Sequence, residues 1–511
     1  MKLLKRIVNR FTVVSFALLV QLFWLIVIPF ILTRYYHLFN LIFSLLSMIA
    51  VVLIINKHKD PSVKLAWIVP ILIFPIFGWS LYLFFGTDYS KNQIAKEARK
   101  HPPIISAMLP DSLPIIEKAK KTDPHVALQM NYVAKQGFPV YENTKAQYYP
   151  SGELWHADLL EELKKAEKFI FLEFFIIKPG YMWDSILDIL RQKAKSGVDV
   201  RVIYDDVGSI NHLPSKYYRT LESEGIKCIS FNRFRPFLSI IMNNRDHRKI
   251  AVIDGNVGFT GGANLADEYI NQDSRFGYWK DSSVCIKGAA VASLTSLFLE
   301  MWNTIRKDAS DTEGAHTFLP DRDLSLSTQS DGAIQPFGDT PLDDEQLSES
   351  IYLGIINQAT EYVYIFTPYL IINNVITDAL VLAAKRGVDV RIVIPGIPDK
   401  KIVYQISLSH CPVLVKAGVK IYTYTPGFIH SKCFVCDGKI ATVGTVNLDY
   451  RSLRIHFECG CIFYNSSVIE NLYRDALDTF EVSKLLEIKY KRSGMIKNFY
   501  YALLRLFSPL M

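Results

Sequence analysis

The sequence contains no cysteine before Cys228 and only seven altogether, so it lacks the cysteine density of a small disulfide-stabilised protein. Cys433 and Cys436 form a C-x-x-C pair, but the sequence has no second such pair to complete a four-cysteine metal site. The apolar residues between them predict a β-strand, in which positions three apart lie on opposite faces. We therefore interpret both as buried structural cysteines and exclude a zinc or redox site formed by this pair.

Charged residues are absent from three amino-terminal stretches, residues 11–33, 38–56 and 65–87. A helix that crosses a bilayer needs about 20 apolar residues, and the first two stretches meet this requirement. The first lacks a small-residue cleavage site, which argues against a cleaved signal peptide. The third contains Pro70 and Pro75, which indicate a kinked, re-entrant or interfacial segment. Lysine and arginine residues flank all three stretches, which favours two crossings and a third segment that dips into the bilayer.

The length of 511 residues predicts two or three domains, and the formal net charge of +7 favours an anionic partner. This charge does not distinguish nucleic acid from anionic lipid. Shifts in composition predict the following divisions: a membrane-anchoring region at 1–90, a connecting segment at 91–145, a first α/β domain at 146–309, a linker at 310–344, a second α/β domain at 345–490 and a basic amphipathic tail at 491–511.

The two α/β domains repeat the same order of elements. In the first, an apolar strand over 169–177 precedes a helix over 185–196, and a glycine then leads into a β-branched strand. In the second, a strand over 362–372 and a helix over 376–386 are followed by the same arrangement. A glycine between a helix and a buried strand is typical of β-α-β units. The sequence therefore predicts two related domains.

Each domain contains one copy of the pattern H-x-K-x-x-x-x-D, and a single copy would be weak evidence of function. The two copies occupy equivalent places in the repeat, and a glycine follows each histidine by 14 residues and an asparagine by 17. Chance does not readily produce this register. The first copy comprises His247, Lys249 and Asp254, followed by Asn264; the second comprises His430, Lys432 and Asp437, followed by Asn447.

The spacing within the pattern indicates phosphodiester chemistry. In a strand, His247 and Lys249 share one face, and so do His430 and Lys432. If the domains pack about a pseudo-two-fold axis, two ammonium groups flank one phosphodiester and stabilise its pentacovalent transition state. One neutral imidazole attacks phosphorus and the other, protonated, gives its proton to the leaving alcohol. We expect no metal or other cofactor, because the lysines supply the positive charge.

Five further side chains are candidates for a role in or near the site. Asn264 and Asn447 are candidate hydrogen-bond donors to the same phosphate oxygens. Asp254 and Asp437 belong to the catalytic pattern, but their position before glycine favours structural turn acids over proton carriers. Glu173, inside the predicted strand, either lines the pocket or, as we favour, forms a structural ion pair.

The paired pattern resembles the phospholipase D superfamily, and its wider setting resembles the bacterial cardiolipin synthases. The resemblance covers nearly the whole chain. It rests on the apolar amino-terminal stretches and on four short segments: Asn244-Arg-Asp-His-Arg-Lys, Gly427-Phe-Ile-His-Ser-Lys, Asn447-Leu-Asp-Tyr-Arg-Ser and the Ser508-Pro-Leu ending.

This resemblance implies an α/β fold with two phospholipase-D-like domains related by a pseudo-two-fold axis, preceded by an α-helical transmembrane region. It implies a multi-pass protein of the bacterial cell membrane that joins two phosphatidylglycerols into cardiolipin and glycerol through a phosphatidyl-histidine intermediate. His247 then matches the nucleophile and His430 the acid. Asp281 and Glu458 match the acids that orient the two histidines. The second half has Gly444-Thr445 where the first has Gly261-Gly262, a departure from symmetry.

Other functions are less consistent with the sequence. Hydrolysis or head-group exchange of another phospholipid is the alternative, because only the acceptor alcohol distinguishes it from transfer. A nuclease has no need of three apolar segments, and a non-enzymatic scaffold has no need of two complete patterns. Two segments keep two interpretations each: the insert around 231–241 is a lid or a lipid-contacting loop, and the tail at 491–511 is a membrane-surface helix or a docked one.

Overall fold

The computed structural model describes residues 36–57, 60–86, 106–233, 244–306, 314–487 and 495–510, with a few isolated positions between them. The predicted apolar run at 11–33, the insert at 234–243 and residues 491–494 of the tail lie outside the described residues, apart from positions 19 and 23. The chain divides into two units, one made of Met1–Gln93, Arg233–Asn244 and Ser493–Met511, the other of Ile94–Asn232 and Arg245–Arg492.

The larger unit contains both predicted α/β domains. The first half forms a seven-stranded mixed sheet in the order β1-β8-β6-β5-β2-β3-β4. Strand β7 lies outside this sheet and pairs with the second half. The strands are β1 (Thr144–Tyr149), β2 (Phe169–Phe174), β3 (Asp199–Asp205), β4 (Lys227–Phe231), β5 (Lys249–Ile253), β6 (Val257–Gly261), β7 (Tyr278–Lys280) and β8 (Ser283–Gly288).

The second half forms an eight-stranded mixed sheet in the order β19-β13-β12-β10-β15-β16-β18-β9. Its strands are β9 (Ala333–Asp339), β10 (Tyr362–Phe366), β12 (Asp389–Pro395), β13 (Lys420–Tyr424), β15 (Cys433–Cys436), β16 (Ile440–Gly444), β18 (Glu458–Tyr464) and β19 (Ser483–Leu485). Three short strands lie outside it: β11 (Leu370–Ile371), β14 (Gly427–Ile429) and β17 (Leu448–Asp449).

The two sheets have the same internal order, which accounts for the repeat in the sequence. The run β8-β6-β5-β2-β3-β4 of the first half corresponds to β18-β16-β15-β10-β12-β13 of the second. In both, the central strand pairs in parallel with one neighbour and antiparallel with the strand that follows the histidine. The predicted strands were too long at their carboxyl ends, because β2 ends at Phe174 and β10 at Phe366.

Helices pack on both faces of the sheets: most cover the outer faces or connect parallel strands, whereas Val291–Arg306 and Ser467–Glu481 contribute to the core between the two sheets. In the larger unit the longer ones are Leu113–Thr122, Pro124–Lys135, Gly152–Lys165, Tyr181–Lys195, Val291–Arg306, Leu347–Gln358, Asn374–Lys385, Lys401–Lys416 and Ser467–Glu481. The shorter ones are Asp206–Ser209, Tyr217–Ser223, Arg322–Ser327 and Tyr450–Arg454.

An apolar core shared by the two halves holds the sheets together. Phe171 and Val252 enter it from the first sheet, and Val443 enters it from the second. Cys433 belongs to this shared core, whereas Cys436 belongs to the separate core on the outer face of the second sheet. The two thiols therefore lie on opposite faces of one strand, as the spacing predicted, and all seven cysteines are buried.

The smaller unit contains the helices Tyr36–Ile55, Pro61–Ile73, Pro75–Leu81 and Met495–Phe507. The break at Phe74, before Pro75, is the predicted kink of the third apolar stretch. The carboxy-terminal helix packs against the helix Pro61–Ile73. Measured against the length and hydropathy that a bilayer crossing demands, none of the helices within the described ranges qualifies.

Candidate active site

The second-half histidine is positioned by a strand of the first half. His430 directly follows β14, which pairs in parallel with β7. Its backbone N–H donates to the carbonyl oxygen of Lys280 at 2.7 Å, and its Nδ1 lies 2.7 Å from Oδ2 of Asp281. The imidazole of the second half is therefore oriented by a carboxylate of the first half.

The first-half histidine is positioned in the reciprocal way. The backbone N–H of His247 donates to the carbonyl oxygen of Phe457 at 2.9 Å. Its Nδ1 lies 2.9 Å from both carboxylate oxygens of Glu458, which begins β18. The resemblance identified both acids, but the sequence did not predict that each acid orients the histidine of the other half.

The two lysines lie beside these histidines, buried to about 1% exposure each. The ammonium group of Lys249 donates to the carbonyl oxygen of His247 at 2.6 Å, and Lys432 makes the corresponding bond to His430. Each histidine lies just outside a strand, because β5 begins at Lys249 and β15 begins at Cys433. Each lysine therefore lies beside its histidine as predicted, but a local hydrogen bond joins them and not a shared face of one strand.

Burial and the neighbouring charges shift the titration of all four groups. Burial, together with Lys249, places the pKa of His247 well below its usual value. Burial and Lys432 lower the pKa of His430 to about 4. Burial lowers the pKa of Lys249 to about 8 and that of Lys432 to about 7, in the latter case with help from the charge of Lys249. Both shifts favour the neutral form of the imidazoles.

These groups form one electrostatic cluster. His430 and Lys432 both contribute to the lowered pKa of His247, and Asp281 of the first half acts to raise the pKa of Lys432 in the second. The two acids differ: burial raises the pKa of Glu458 well above its usual range. Burial also acts to raise the pKa of Asp281, but the charges of His430 and Lys432 outweigh it and lower that pKa.

The two asparagines have unequal surroundings. The side-chain oxygen of Asn264 accepts from the backbone N–H of Ile176 at 3.1 Å, and its amide nitrogen donates to the hydroxyl of Tyr269 at 2.7 Å. Tyr269 in turn packs its ring 5.4 Å from that of His430. The buried Oδ1 of Asn447 has no hydrogen-bond partner among the described residues. Asn264 therefore has one amide hydrogen left for a substrate. Its predicted role as a donor to phosphate oxygens is limited to that hydrogen, because its other side-chain groups bond within the protein.

The two aspartates of the repeated pattern lie at the far end of their strands. The carboxylate of Asp254 accepts from the backbone N–H groups of residues 167, 168 and 169 at 2.7–2.8 Å. That of Asp437 accepts from the N–H groups of residues 360, 361 and 362 at 2.7–3.0 Å. Both residues have positive φ, of 51° and 50°. We therefore correct the catalytic assignment: each aspartate holds the start of the adjacent central strand, β2 or β10.

Glu173 forms the structural ion pair that the sequence favoured, with an arginine rather than a lysine. Its Oε1 lies 2.5 Å from the guanidinium of Arg248, which also pairs with Asp246 at 3.2 Å. The guanidinium further donates to the carbonyl oxygen of Leu297 at 3.1 Å. Arg248 therefore points away from the imidazole cluster, as alternation predicted.

The departure between Gly444-Thr445 and Gly261-Gly262 has a structural cause. The Thr445 hydroxyl donates to Oε2 of Glu458 and so fixes that carboxylate. At the corresponding place in the first half, a Cβ on Gly262 would lie 1.9 Å from Oδ1 of Asp281. One half therefore holds its acid with a hydroxyl group, and the other leaves space for the acid to approach.

Two ring residues were missed by the sequence analysis. His456 and Trp279 each precede an orienting acid by two residues, and each lies beside the histidine that this acid orients. The ring of Trp279 is 5.3 Å from that of His430, and the ring of His456 is 5.6 Å from that of His247. Their shared offset from the two acids is the signal that identifies them.

Comparison with known proteins agrees with this architecture. A family model described as "Cardiolipin synthase, PLD-like domain" matches residues 159–302 and 352–478, together just over half of the chain. A model described as "Phospholipase_D-nuclease N-terminal" matches residues 45–86.

Individual relatives extend the match to nearly the whole length. An uncharacterized protein of Streptococcus mutans is 43% identical over 437 residues, 85% of this chain and 93% of its own. A cardiolipin synthase of Alkalihalophilus pseudofirmus is 34% identical over 476 residues, 92% of this chain and 93% of its own. The crystal structure of phosphatidylserine synthase from Haemophilus influenzae Rd KW20 has a TM-score of 0.57 at 14% identity, covering 75% of this chain and 100% of its own, and so shares the fold. The chain belongs to the phospholipase-D-like cardiolipin synthase family.

Proposed function

We propose that this protein is a cardiolipin synthase, which transfers a phosphatidyl group from one phosphatidylglycerol to another and releases glycerol. The main support is the crossed pairing of His247 with Glu458 and of His430 with Asp281. This pairing places both imidazoles and both lysines in one buried cluster. A relative named cardiolipin synthase, matched over more than nine-tenths of both chains, supports this assignment.

The first step forms a covalent intermediate on His247. Because Glu458 accepts the hydrogen bond of Nδ1, the lone pair of the neutral ring is on Nε2, which attacks phosphorus. The bond from phosphorus to the glycerol oxygen breaks, and His430 gives that oxygen its proton. The products are phosphatidyl-His247 and free glycerol.

The second step regenerates the histidine. A hydroxyl group of the second phosphatidylglycerol gives its proton to His430 as its oxygen attacks phosphorus. The bond from phosphorus to Nε2 of His247 breaks, and cardiolipin leaves. Lys249 and Lys432 bind the equatorial phosphoryl oxygens in both steps and stabilise their charge. The side chains of both histidines are only 9% exposed, which favours a lipid alcohol over bulk water as acceptor.

The different titration of the two acids supports this division of roles. Asp281 has a lowered pKa, so its ionised carboxylate stabilises a protonated His430. The negative charge of a bound phosphodiester acts in the same direction and counters the burial that lowers the pKa of this imidazole. Glu458, with its raised pKa, is less suited to stabilise an imidazolium and instead orients a neutral nucleophile.

We further propose that the amino-terminal unit attaches the enzyme to the membrane that contains its substrate. The helix Tyr36–Ile55 carries no charged residue, and Leu41, Leu45, Met48 and Leu53 are among its exposed apolar side chains. Apolar surface of this extent is stable in contact with lipid. Alkaline extraction of membranes from expressing cells tests the proposal: the protein should stay in the pellet, and its full release would contradict membrane insertion.

Product analysis tests the reaction itself. Purified full-length protein, incubated with phosphatidylglycerol in detergent micelles without added metal, should yield cardiolipin and glycerol. Phosphatidic acid as the main product would show hydrolysis instead. Supplying phosphatidylethanolamine or free glycerol as competing acceptors then defines which alcohol the second step accepts.

A leaving-group experiment separates the two histidines. A phosphatidyl ester of p-nitrophenol departs without protonation, so the His430→Ala variant should still release a burst of nitrophenol. The His247→Ala variant should release none, because it has no nucleophile. A burst from His247→Ala and none from His430→Ala would reverse the proposed roles.

A further inference from the structure

The side chain of His456 is almost entirely buried, and the reaction described above gives it no role. Both nitrogens of its ring lack hydrogen-bond partners among the described residues. The side chain is only 10% exposed. Buried imidazole nitrogens are normally paired, because leaving them unpaired costs free energy. Both ring nitrogens are therefore available to a ligand from outside the described residues.

Three potential metal ligands converge at this point. Nδ1 of His456 lies 3.6 Å from Oε1 of Glu458, and the same carboxylate lies 2.9 Å from Nδ1 of His247. One ligand atom from each of the three residues lies within 4.8 Å of the other two. Two imidazoles and one carboxylate are a ligand set that zinc uses in proteins, with a fourth position left for water or another ligand.

We propose that His247, His456 and Glu458 form a zinc-binding site whose occupancy inhibits the enzyme. This site differs from a cofactor site, because a bound zinc ion would occupy His247, the nucleophile of the proposed reaction.

The observed spacing fits one tetrahedral ion. With zinc–nitrogen distances of about 2.0–2.1 Å, two imidazoles on one zinc have ring centres roughly 5 Å apart and ligand atoms roughly 3.4 Å apart. The ring centres of His247 and His456 are 5.6 Å apart, and the His456–Glu458 ligand atoms are 3.6 Å apart. The hydrogen-bonded contact of 2.9 Å between His247 and Glu458 has to open by roughly half an ångström to admit the ion.

Zinc at this position inactivates His247 through its tautomer. The ion takes the Nδ1 lone pair and replaces the hydrogen that Nδ1 donates to Glu458. The ring proton then resides on Nε2, where the nucleophilic lone pair would otherwise be. The imidazole stays neutral, but it has no free electron pair directed at phosphorus. This consequence for turnover rests on the proposed function, whereas zinc binding itself does not.

Among the residues that the structure describes, this ligand set occurs once. At the position corresponding to His456, the first half has Trp279, which offers no metal ligand beside His430 and Asp281. The positive charge of Lys249, which interacts with both His247 and His456, opposes a second cation and limits affinity. We therefore expect one reversible zinc ion per chain, removable by EDTA.

Chelator competition measures this binding without any need for turnover. EDTA-treated, dialysed full-length protein in detergent competes with a chromophoric zinc chelator, beside the His456→Asn variant. We expect the variant to bind at least about tenfold more weakly, because it loses one of three ligands. His316→Asn, the same substitution at an exposed histidine, is the matched control and should bind as the wild type does. Equal binding by the wild type and His456→Asn, or no zinc binding by the wild type, would overturn the proposal.

Two further measurements keep the test decisive if the variant is unstable. Cobalt bound to wild-type protein should show the intense visible absorption of a four-coordinate ion, and excess zinc should abolish it. With phosphatidylglycerol as substrate, zinc should inhibit the wild type and EDTA should restore the rate. The ratio of rates with and without zinc should approach one in His456→Asn. A zinc-loaded protein that makes no cardiolipin even in EDTA would refute the proposed function and leave the metal site intact.

Discussion

The Nδ1 atom of His247 lies 2.9 Å from each carboxylate oxygen of Glu458, a residue 211 positions later in the other half of the chain. His430 has the reciprocal relationship with Asp281. Neither half can therefore orient its own histidine, and the reaction requires both halves to fold together. This exchange explains why the site comprises two motifs within one chain.

Replacing an orienting acid should impair catalysis without abolishing the fold. Glu458→Gln keeps the shape of the side chain, but its amide no longer fixes the tautomer of His247 that attacks phosphorus. We expect kcat to fall roughly 10²- to 10⁴-fold with a small change in KM. Asp281→Asn should fall comparably. Steady-state kinetics and a thermal melt of the same samples check this, and either variant with wild-type kcat would refute the orienting role.

Removing one of the aspartates that hold a central strand should lower the stability of the fold and leave most of the catalytic rate. In Asp254→Ala, three backbone N–H groups at the start of β2 lose their acceptor. We expect the free energy of unfolding to fall by about 2–4 kcal/mol, since hydrogen bonds to a charged group contribute about 1.5–3 kcal/mol each and water compensates in part. The folded variant should retain most of its kcat. Urea denaturation and kinetics at low temperature measure both quantities, and a large loss of kcat with unchanged stability would restore the catalytic assignment.

The sequence predicted what is local in this protein. The repeated β-α-β units follow from the order of apolar runs and glycines, and the opposite faces of the two C-x-x-C thiols follow from spacing along one strand. His247 lies just outside β5, so its pairing with Lys249 rests on a local hydrogen bond instead. Even the ion pair of Glu173 followed from a charge inside an apolar strand.

What the sequence did not predict depends on packing between the halves. The crossed acids are a property of how β14 meets β7, which neither motif encodes by itself. His456 was missed because it lies outside both motifs, and only its offset from Glu458, matched by Trp279, marks it. The position of the two aspartates before glycine favoured a structural role, but their spacing from a histidine did not reveal that they lie at the end of the strand away from the substrate.

A single added methyl group should disturb the second histidine. In Gly262→Ala, the new Cβ would lie 1.9 Å from Oδ1 of Asp281 and push that carboxylate away from His430. We expect a loss of kcat of roughly the same size as that of Asp281→Asn, about 10²-fold or more. Gly314→Ala is the matched control, because its Cβ would meet only the Thr317 hydroxyl at 3.7 Å. Equal activity of the two variants would show that Asp281 can move without loss of function.

The pH dependence of kcat/KM should reveal the lysines. Lys432 and Lys249 have pKa values lowered to about 7 and about 8 by burial, so free enzyme loses their charge as pH rises through this range. We expect kcat/KM to fall on the alkaline side from near neutrality, because neutral amines no longer bind the phosphodiester. The acid limb should lie well below pH 7, since the nucleophile His247 must be neutral and burial lowers its pKa well below the usual value. A bound phosphodiester favours the ammonium forms, so the alkaline limb of kcat should lie at higher pH.

Replacing Lys432 with arginine tests which lysine causes the alkaline decrease in kcat/KM. A guanidinium remains charged up to about pH 12, so in Lys432→Arg the first alkaline decrease in kcat/KM should disappear and leave that of Lys249. The absolute rate is not the readout, because the larger side chain also changes the geometry. Lys178→Arg, at a lysine that pairs with Glu268 at 3.0 Å outside the cluster, is the control and should leave the profile unchanged. An alkaline limb that is identical in wild type and Lys432→Arg would mean that this ammonium group does not control substrate capture, and the two-lysine model of phosphate binding would have to be abandoned.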